Sequence, residues 1–395
     1  MSLNTLFVLI LIGGWLSGRL SAKLGLPSIL GMTLWGIALS CFLGTKIPPI
    51  LWESAPFLRS LALITILLRS GLAIKKEALK KVGAASVRMA FIPCVLEGAA
   101  VASACRYLLS FSWPEAGMLG FIIAAVSPAV VVPSMLTLKE QGYGKRKEIP
   151  TLILAGTSLD NVVAISLFTV FLHIAKGGGT NYLITAASVP YSIATGIVFG
   201  LVAGCFFSWL FKKYFNRIRA TEKMLLILGI SVILLQLETQ IHLAALLAIV
   251  AMGFVLLEKC EEAASELASK LSKIWVLAEI LLFVLVGMAV NPETALKAGL
   301  VGLAIIILGV FFRSIGVFAS LFGTNFSLKE RSFCAVAYIP KATVQAALAA
   351  IPLSIGATNG DAILSIAVLS ICVTAPIGFL GIRYLAPKLL NIELE

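Results

Sequence analysis

Asp160 is a carboxylate in an otherwise apolar stretch, and it is one of only two aspartates in the 395-residue chain. The stretch covers positions 149–172 and contains no other acidic residue. A charge at the centre of a membrane helix costs roughly 2.5–3.5 kcal/mol on insertion scales, so such residues usually mark a functional site. The alternative is an acid that is paired with a base for packing alone.

Asn161 follows directly, and an acid beside an amide offers the hard oxygen ligands that suit Na⁺ or Li⁺. The hydroxyl groups of Ser127, Thr157 and Ser158 are candidates to complete the oxygen shell. The sequence therefore predicts a monovalent cation site at Asp160, where a proton and a cation compete for one carboxylate.

Charged residues also occur at membrane depth elsewhere, namely Arg69, Glu97, Glu279, Arg313 and Lys341. Because unpaired charges are too unfavourable there, these acids and bases should pair in a charge network. Lysine loses its proton readily in a dry site, whereas arginine stays charged. We therefore expect Lys341 to pair with Asp160 and Arg313 with Glu97, and periodicity leaves the crossed pairing open.

Composition sets the class of protein. The chain is 59% hydrophobic and 13% charged, which indicates an all-α integral membrane protein with many spans and the lipid bilayer as its surroundings. The net charge of +12 lies in clusters near positions 75–81, 139–147 and 212–223. This positive-inside pattern predicts an external N-terminus and a cytoplasmic C-terminus, and it argues against a nucleic-acid partner.

Hydropathy predicts about 13 transmembrane helices, arranged as two inverted repeats of six with a linker helix at 182–214. Prolines interrupt two spans in matching places, within 125–133 and 337–347. Because proline frees a backbone carbonyl, such a break at membrane depth must be buried in protein or line a cavity. Between the ninth and tenth spans, the polar stretch 258–273 could be a short cytoplasmic helix, and a solvated linker is the favoured interpretation.

Several segments together resemble the monovalent cation:proton antiporter superfamily, and most closely the sodium/hydrogen exchanger solute-carrier 9B subgroup and its bacterial relatives. The resemblance extends from about Leu58 to Leu390. The matching segments are Leu67–Gly71, Pro93–Glu97, Ala124–Leu136, Gly142–Gly144, Thr157–Ile165, Pro340–Ala347 and Thr374–Gly378.

The resemblance implies a transporter rather than an enzyme, with no catalytic residue and no cofactor. Na⁺, Li⁺ or K⁺ and H⁺ would be the transported ions, and the protein would be a homodimer in a cell membrane such as the bacterial inner membrane. Residues 1–74 and 222–290 would form the dimerisation scaffold. Residues 84–174 and 296–386 would form an ion-transporting core in which the two broken helices cross, and this core would move as an elevator.

Asn161 departs from the subgroup, whose pattern reads Asp-Asp at this point. Two interpretations follow: Asp160 alone carries exchange, or the chain carries an engineered aspartate-to-asparagine change that disables transport. Besides a sodium/proton antiporter, the sequence leaves open a non-transporting ion or ligand sensor on an antiporter scaffold and a solute symporter of related fold.

Overall fold

The structure is a computed structural model that describes residues 2–73, 76–176, 182–241 and 243–392. Position 75, in the first predicted basic cluster, lies outside these ranges. The described chain is helical, and its β pairing is limited to an isolated bridge between Tyr143 and Ile392. Ten described helices are long and apolar enough to cross a membrane. The predicted all-α membrane class is confirmed, whereas the count of 13 spans stays a prediction.

The first half of the described chain leads to the helix that carries Asp160. Its helices are α1 (Leu3–Lys23), α2 (Ser28–Leu43), α3 (Pro49–Gly71), α4 (Lys76–Leu108), α5 (Trp113–Ala124), α6 (Pro128–Glu140) and α7 (Ile149–Ala175). Gly83 gives α4 a kink near its start, with φ 56° and ψ −145°, a conformation that suits glycine.

The predicted interruption of the fifth span is confirmed. α5 ends at Ala124, the next residues are extended, and α6 begins at Pro128. Pro128 fits there because the first turn of a helix needs no N–H donor. Pro133, which was also predicted to lie in the break, is instead inside the continuous helix α6.

The second half contains the other interruption. Its helices are α8 (Tyr182–Lys213), α9 (Ala220–Ile241), α10 (Ala245–Lys259), α11 (Glu261–Ala289), α12 (Pro292–Ser320), α13 (Leu328–Ala337), α14 (Thr343–Leu348), α15 (Ile351–Ser354) and α16 (Gly360–Leu389). The gap between α13 and α14 falls within the predicted range, so this break is confirmed as well.

The two interrupted spans begin in the same way. A capping box of serine followed three residues later by glutamate starts α5 at Ser112 and α13 at Ser327. Each glutamate also reaches the loop before the last helix of the other half. Glu115 accepts hydrogen bonds from the backbone N–H and Nδ2 of Asn359, at 2.9 and 3.0 Å.

The corresponding contact in the other half is ionic. Lys147 Nζ lies 2.7 Å from Glu330 Oε2, just before the start of α7. Glu330 is therefore shared between its own helix end and a lysine, as Glu115 is shared between its helix end and an amide. These matching contacts are consistent with the predicted inverted repeats.

Close packing of the long helices surrounds the breaks. α4 packs against α5, α7 and α12, and α12 also packs against α16, while α11 packs against α2 and α3. Gly36 and Gly287 allow α2 and α11 to approach, because a Cβ atom at either position would clash with the backbone of the other helix.

The prediction of a solvated linker at 258–273 is wrong, because α11 is continuous from Glu261 to Ala289. Apolar side chains recur at helical spacing in its first turns and are buried, including Ala263, Leu267 and Leu271. In the same turns, Glu266 Oε2 lies 2.8 Å from Nζ of Lys223. The segment is therefore helical, as in the alternative interpretation, and it is continuous with the tenth predicted span.

Candidate ion-binding site

Four charged side chains meet beside the two breaks, and each is at most 1% exposed: Glu97, Asp160, Arg313 and Lys341. They come from α4, α7, α12 and the gap between α13 and α14. Two acids face two bases, so the formal charges of the four cancel. Mutual pairing is the arrangement that allows charges to remain in so dry an environment.

Arg313 is the centre of this cluster. Its Nη2 lies 2.7 Å from Asp160 Oδ1, and its Nη1 lies 2.6 Å from Glu97 Oε2. Nη1 also donates to the backbone carbonyl of Ala124, the last residue of α5. The rigid fork of a guanidinium suits this task, because its donors point at several acceptors at once.

Lys341 does not pair with Asp160, so that prediction is wrong. Its Nζ lies 2.6 Å from Glu97 Oε2, the same oxygen that Arg313 contacts. The backbone N–H of Lys341 donates to Thr374 Oγ1 at 3.0 Å, which fixes the residue in the gap. The predicted Arg313–Glu97 pair is present, but Arg313 also takes the partner that had been assigned to the lysine.

The second carboxylate oxygen of Asp160 is also bound. Oδ2 accepts a hydrogen bond from the backbone N–H of Val126, at 3.0 Å, in the break between α5 and α6. The two breaks touch each other, since the N–H of Ser127 donates to the carbonyl of Pro340 at 2.8 Å. Asp160 on α7 thus contacts Arg313 of the second half and the break between α5 and α6.

The candidate oxygen ligands fall into two groups. Thr157 Oγ1 donates to Ile153 O at 2.8 Å, and Ser158 Oγ donates to Leu154 O at 2.9 Å.

Ser127 Oγ and Asn161 Oδ1 are buried, and among the described residues neither has a hydrogen-bond partner. Buried polar atoms normally have partners, so these two oxygens are the better candidates to meet an ion. Their role as ligands stays a prediction.

Tyr338 packs over the cluster. Its ring centroid lies 5.3 Å from the guanidinium carbon of Arg313, which places the cation over an aromatic face. A Cβ atom at Gly156 would collide with the Tyr338 hydroxyl, so the glycine lets α7 approach this ring. Tyr338 therefore packs between Arg313 and Gly156 of α7, the helix that carries Asp160.

Arg69, which the sequence placed in the charge network, lies against different residues. Its guanidinium carbon is 5.6 Å from the ring centroid of Trp275 in α11, and it interacts electrostatically with Glu279. Arg69 and Glu279 therefore belong to the contact between α3 and α11 rather than to the cluster around Asp160.

The sequence interpretation missed Gln345. This buried side chain in α14 donates from Nε2 to the carbonyls of Ile122 and Ala125, at 2.8 and 2.7 Å, and so bridges the two broken helices. An amide inside an otherwise apolar, proline-interrupted segment was the available signal. The sequence interpretation also missed the serine–glutamate pairs at 112–115 and 327–330. Their spacing was a signal for the start of a helix.

Comparison with known proteins shows to which family the chain belongs. Residues 7–386 match the family model described as "Sodium/hydrogen exchanger, transmembrane". The chain belongs to the sodium/hydrogen exchanger family. Sodium/hydrogen exchanger 9B2 of Homo sapiens is 36% identical, over 98% of this chain and 74% of the relative. Sodium/hydrogen exchanger 9B1 of Homo sapiens is 32% identical, over 93% of this chain and 73% of the relative.

The fold agrees with this assignment. The sodium proton antiporter MjNhaP1 from Methanocaldococcus jannaschii aligns with a TM-score of 0.82 and 22% identity, covering 96% of this chain and 97% of that one. The predicted resemblance to the exchanger family is confirmed. Members of the family are cation:proton antiporters, so this multi-pass membrane protein is a transporter rather than an enzyme, and its ions are substrates rather than cofactors.

Proposed function

We propose that the protein exchanges Na⁺ for H⁺ across a membrane and that Asp160 is the carboxylate that binds the cation. The observation that carries this proposal is the set of contacts around Asp160. The side chain of Asp160 is fully buried and is paired with Arg313, which stays positively charged. Beside it in the chain lies Asn161, whose Oδ1 has no partner among the described residues. A cation can therefore gain oxygen ligands on α7 while it competes with Arg313 and a proton for the acid.

Charge balance suggests how a proton is exchanged. With both acids ionised and both bases protonated, the cluster is neutral, and an entering Na⁺ adds one positive charge. Arg313 cannot release a proton, but a buried lysine can. Lys341 forms no ion pair with Asp160, but contacts of 2.6 Å join Lys341 to Glu97 and Glu97 to Arg313, which binds Asp160. A change in charge at Asp160 can therefore affect Lys341. One proton leaving Lys341 for each cation bound gives an electroneutral exchange.

The larger-scale parts of the proposal follow the family resemblance. Residues 1–74 and 222–290 form a dimerisation scaffold, 182–214 link the halves, and 84–174 with 296–386 form the moving core. The core carries the ion by elevator motion in a homodimer, with the N-terminus outside and the C-terminus in the cytoplasm. Li⁺ and K⁺ are alternative substrates, and a bacterial inner membrane is a suitable location.

Proton flux in proteoliposomes tests the central claim. An inward Na⁺ gradient should drive outward proton movement, reported by an internal pH dye, and Asp160→Asn should abolish it without changing assembly. Ser166→Ala is a matched control on the same helix, because its hydroxyl donates to Val162 O at 2.7 Å and it is not one of the candidate ligands. Undiminished exchange by the Asp160→Asn protein would exclude the site.

A sensor that does not transport is the second candidate, and Asn161 favours it, because the second position of the subgroup's acidic pair cannot ionise here. A sensor would bind Na⁺ yet produce no proton flux, even after Asn161 is changed to aspartate. Flux in either protein would exclude this candidate.

A further inference from the structure

The end of α5 presents its last carbonyl groups to the second half of the chain. Arg313 takes the carbonyl of Ala124. Gln345 Nε2 lies 2.8 Å from Ile122 O, 2.7 Å from Ala125 O and 3.4 Å from Ile123 O. Three carbonyl oxygens thus converge on one nitrogen atom, at the point where the interrupted helix stops.

The chemistry of the amide fixes its orientation. Carbonyl oxygens only accept hydrogen bonds, so the atom that faces them must be the NH₂ group of Gln345. Its Oε1 has no partner among the described residues, although the side chain is fully buried. The amide keeps its donors on the helix end and leaves its own acceptor unsatisfied, which indicates that capping these carbonyls is the main role of the side chain.

A position of this kind attracts cations. The carboxyl end of a helix carries partial negative charge. Two cationic side chains already lie at this end, since Arg313 donates to the carbonyl of Ala124 and Lys341 Nζ lies 3.5 Å from the same oxygen. Rings of backbone carbonyls replace the hydration shell of ions in channel filters, and the ends of interrupted helices coordinate Na⁺ in some transporters. Here the same kind of position holds a neutral NH₂ group that is tethered to α14.

We infer that Gln345 is a positioning residue whose amide occupies a built-in cation position at the end of α5. By filling that position, Gln345 restricts the transported ion to Asp160, which binds the N–H of the Ala125–Val126 peptide whose carbonyl Gln345 contacts. This inference rests on the proposed function only for the role of Asp160. It makes Gln345 a determinant of where the ion binds, through its hold on the carbonyls of Ile122 and Ala125.

Replacement by glutamate distinguishes this role from simple packing. In Gln345→Glu a carboxylate faces the three carbonyls, and the repulsion is relieved when a cation enters between them or when the carboxylate takes up a proton. The comparison is therefore made at alkaline pH, where the ionised form is favoured. The Asp160→Asn background removes the proposed natural site, so any remaining effect of Na⁺ belongs to the new one. Gln345→Leu in the same background is the matched control, with similar size and no ligand oxygen.

Thermal unfolding of the purified protein in detergent, in NaCl and in choline chloride at equal ionic strength, is the measurement. Asp160→Asn alone and Asp160→Asn/Gln345→Leu should unfold at the same temperature in both salts. Asp160→Asn/Gln345→Glu should gain about 2–4 °C in Tm in saturating NaCl. Equal Tm values in the two salts for that variant would overturn the inference, whereas a Na⁺ effect that persists in Asp160→Asn alone would contradict the proposed function instead.

Lysine and leucine at this position decide the matter even if the glutamate variant does not fold. If the position suits a cation, Gln345→Lys should unfold at a higher temperature than Gln345→Leu, because the ammonium group replaces the amide donors. If the position were ordinary membrane interior, the order would be reversed, since buried lysine is far less favourable than leucine there. A leucine variant that is the more stable of the two would overturn the inference.

Discussion

Arg313 holds Asp160 and Glu97 at the same time, with N–O distances of 2.7 and 2.6 Å. The acid proposed to bind the ion is therefore connected to Lys341 through Arg313 and Glu97, in a chain of three ionic contacts. A change at one end of this series of contacts should affect the residue at the other end. Substitution of each residue can therefore separate their roles.

Arg313→Ala should strongly destabilise the protein, since it leaves a buried acid unpaired, at a cost of about 3–5 kcal/mol. A second change to Asp160→Asn should restore more stability than a second change to Glu97→Ala, because the first leaves the Glu97–Lys341 pair intact. Tm measured in detergent for the single and double variants checks this order. Equal rescue by the two changes would show that Arg313 does not serve Asp160.

Arg383→Ala is the control for the loss of an arginine. Arg383 is exposed near the end of α16, with its guanidinium carbon 5.9 Å from the ring centroid of Tyr384. Its removal should shift Tm by much less than the removal of Arg313, because an exposed cation makes a small net contribution to stability.

Asn161→Asp should increase Na⁺ binding. It adds a carboxylate where a buried amide oxygen has no partner among the described residues, so the cluster gains a negative charge that a cation can neutralise. Currents on a solid-supported membrane after a Na⁺ jump should grow relative to the original protein, and Asn161→Ala should reduce them. Large currents with Asn161 that collapse in Asn161→Asp would mean that one carboxylate is the native arrangement.

Lys341→Gln should alter the pH dependence of exchange more than the stability of the fold. Glu97 keeps Arg313 as a partner after the change, so no acid is left unpaired. The base proposed to release a proton is lost, and the apparent KM for Na⁺ should then change much less with pH than in the original protein. Lys388→Gln, at an exposed position near the C-terminus, is the control. An unchanged pH profile would remove Lys341 from the proton pathway.

Glu330→Gln and Glu115→Gln should differ in their sensitivity to salt. Both variants can keep a capping-box hydrogen bond, but Glu330 faces the charged Lys147 whereas Glu115 faces the neutral Asn359. The Glu330 variant should lose up to about 1 kcal/mol at low ionic strength, less in high salt, because a partly exposed pair is screened.

The Glu115 variant should show a loss that does not depend on salt. Tm at low and high NaCl measures both effects. A larger salt effect at Glu115 than at Glu330 would contradict the assignment of the two contacts.

Local properties of the sequence were sufficient for the class of protein and for the places where its helices break. Apolar segments of span length indicate membrane helices wherever they occur, and Pro128 and Pro340 disturb the backbone next to themselves. The proposal that Asp160 binds the ion also began with the sequence, since a charge inside an apolar stretch requires an explanation. These inferences need only neighbours in the chain.

The pairing of the charges needed the tertiary structure. Arg313 is separated from Asp160 by 153 positions and from Glu97 by 216, and helical periodicity does not fix distances between helices that far apart. Whether Lys341 or Arg313 pairs with Asp160 depended on which side chain could reach two acids and the end of α5 together. Gln345 escaped notice for the same reason, because the carbonyls that it caps lie 220 to 223 positions away. Sequence supplied the charged and polar groups, and the contact between the two helix breaks decided their partners, since it brings distant backbone and side chains within hydrogen-bonding distance.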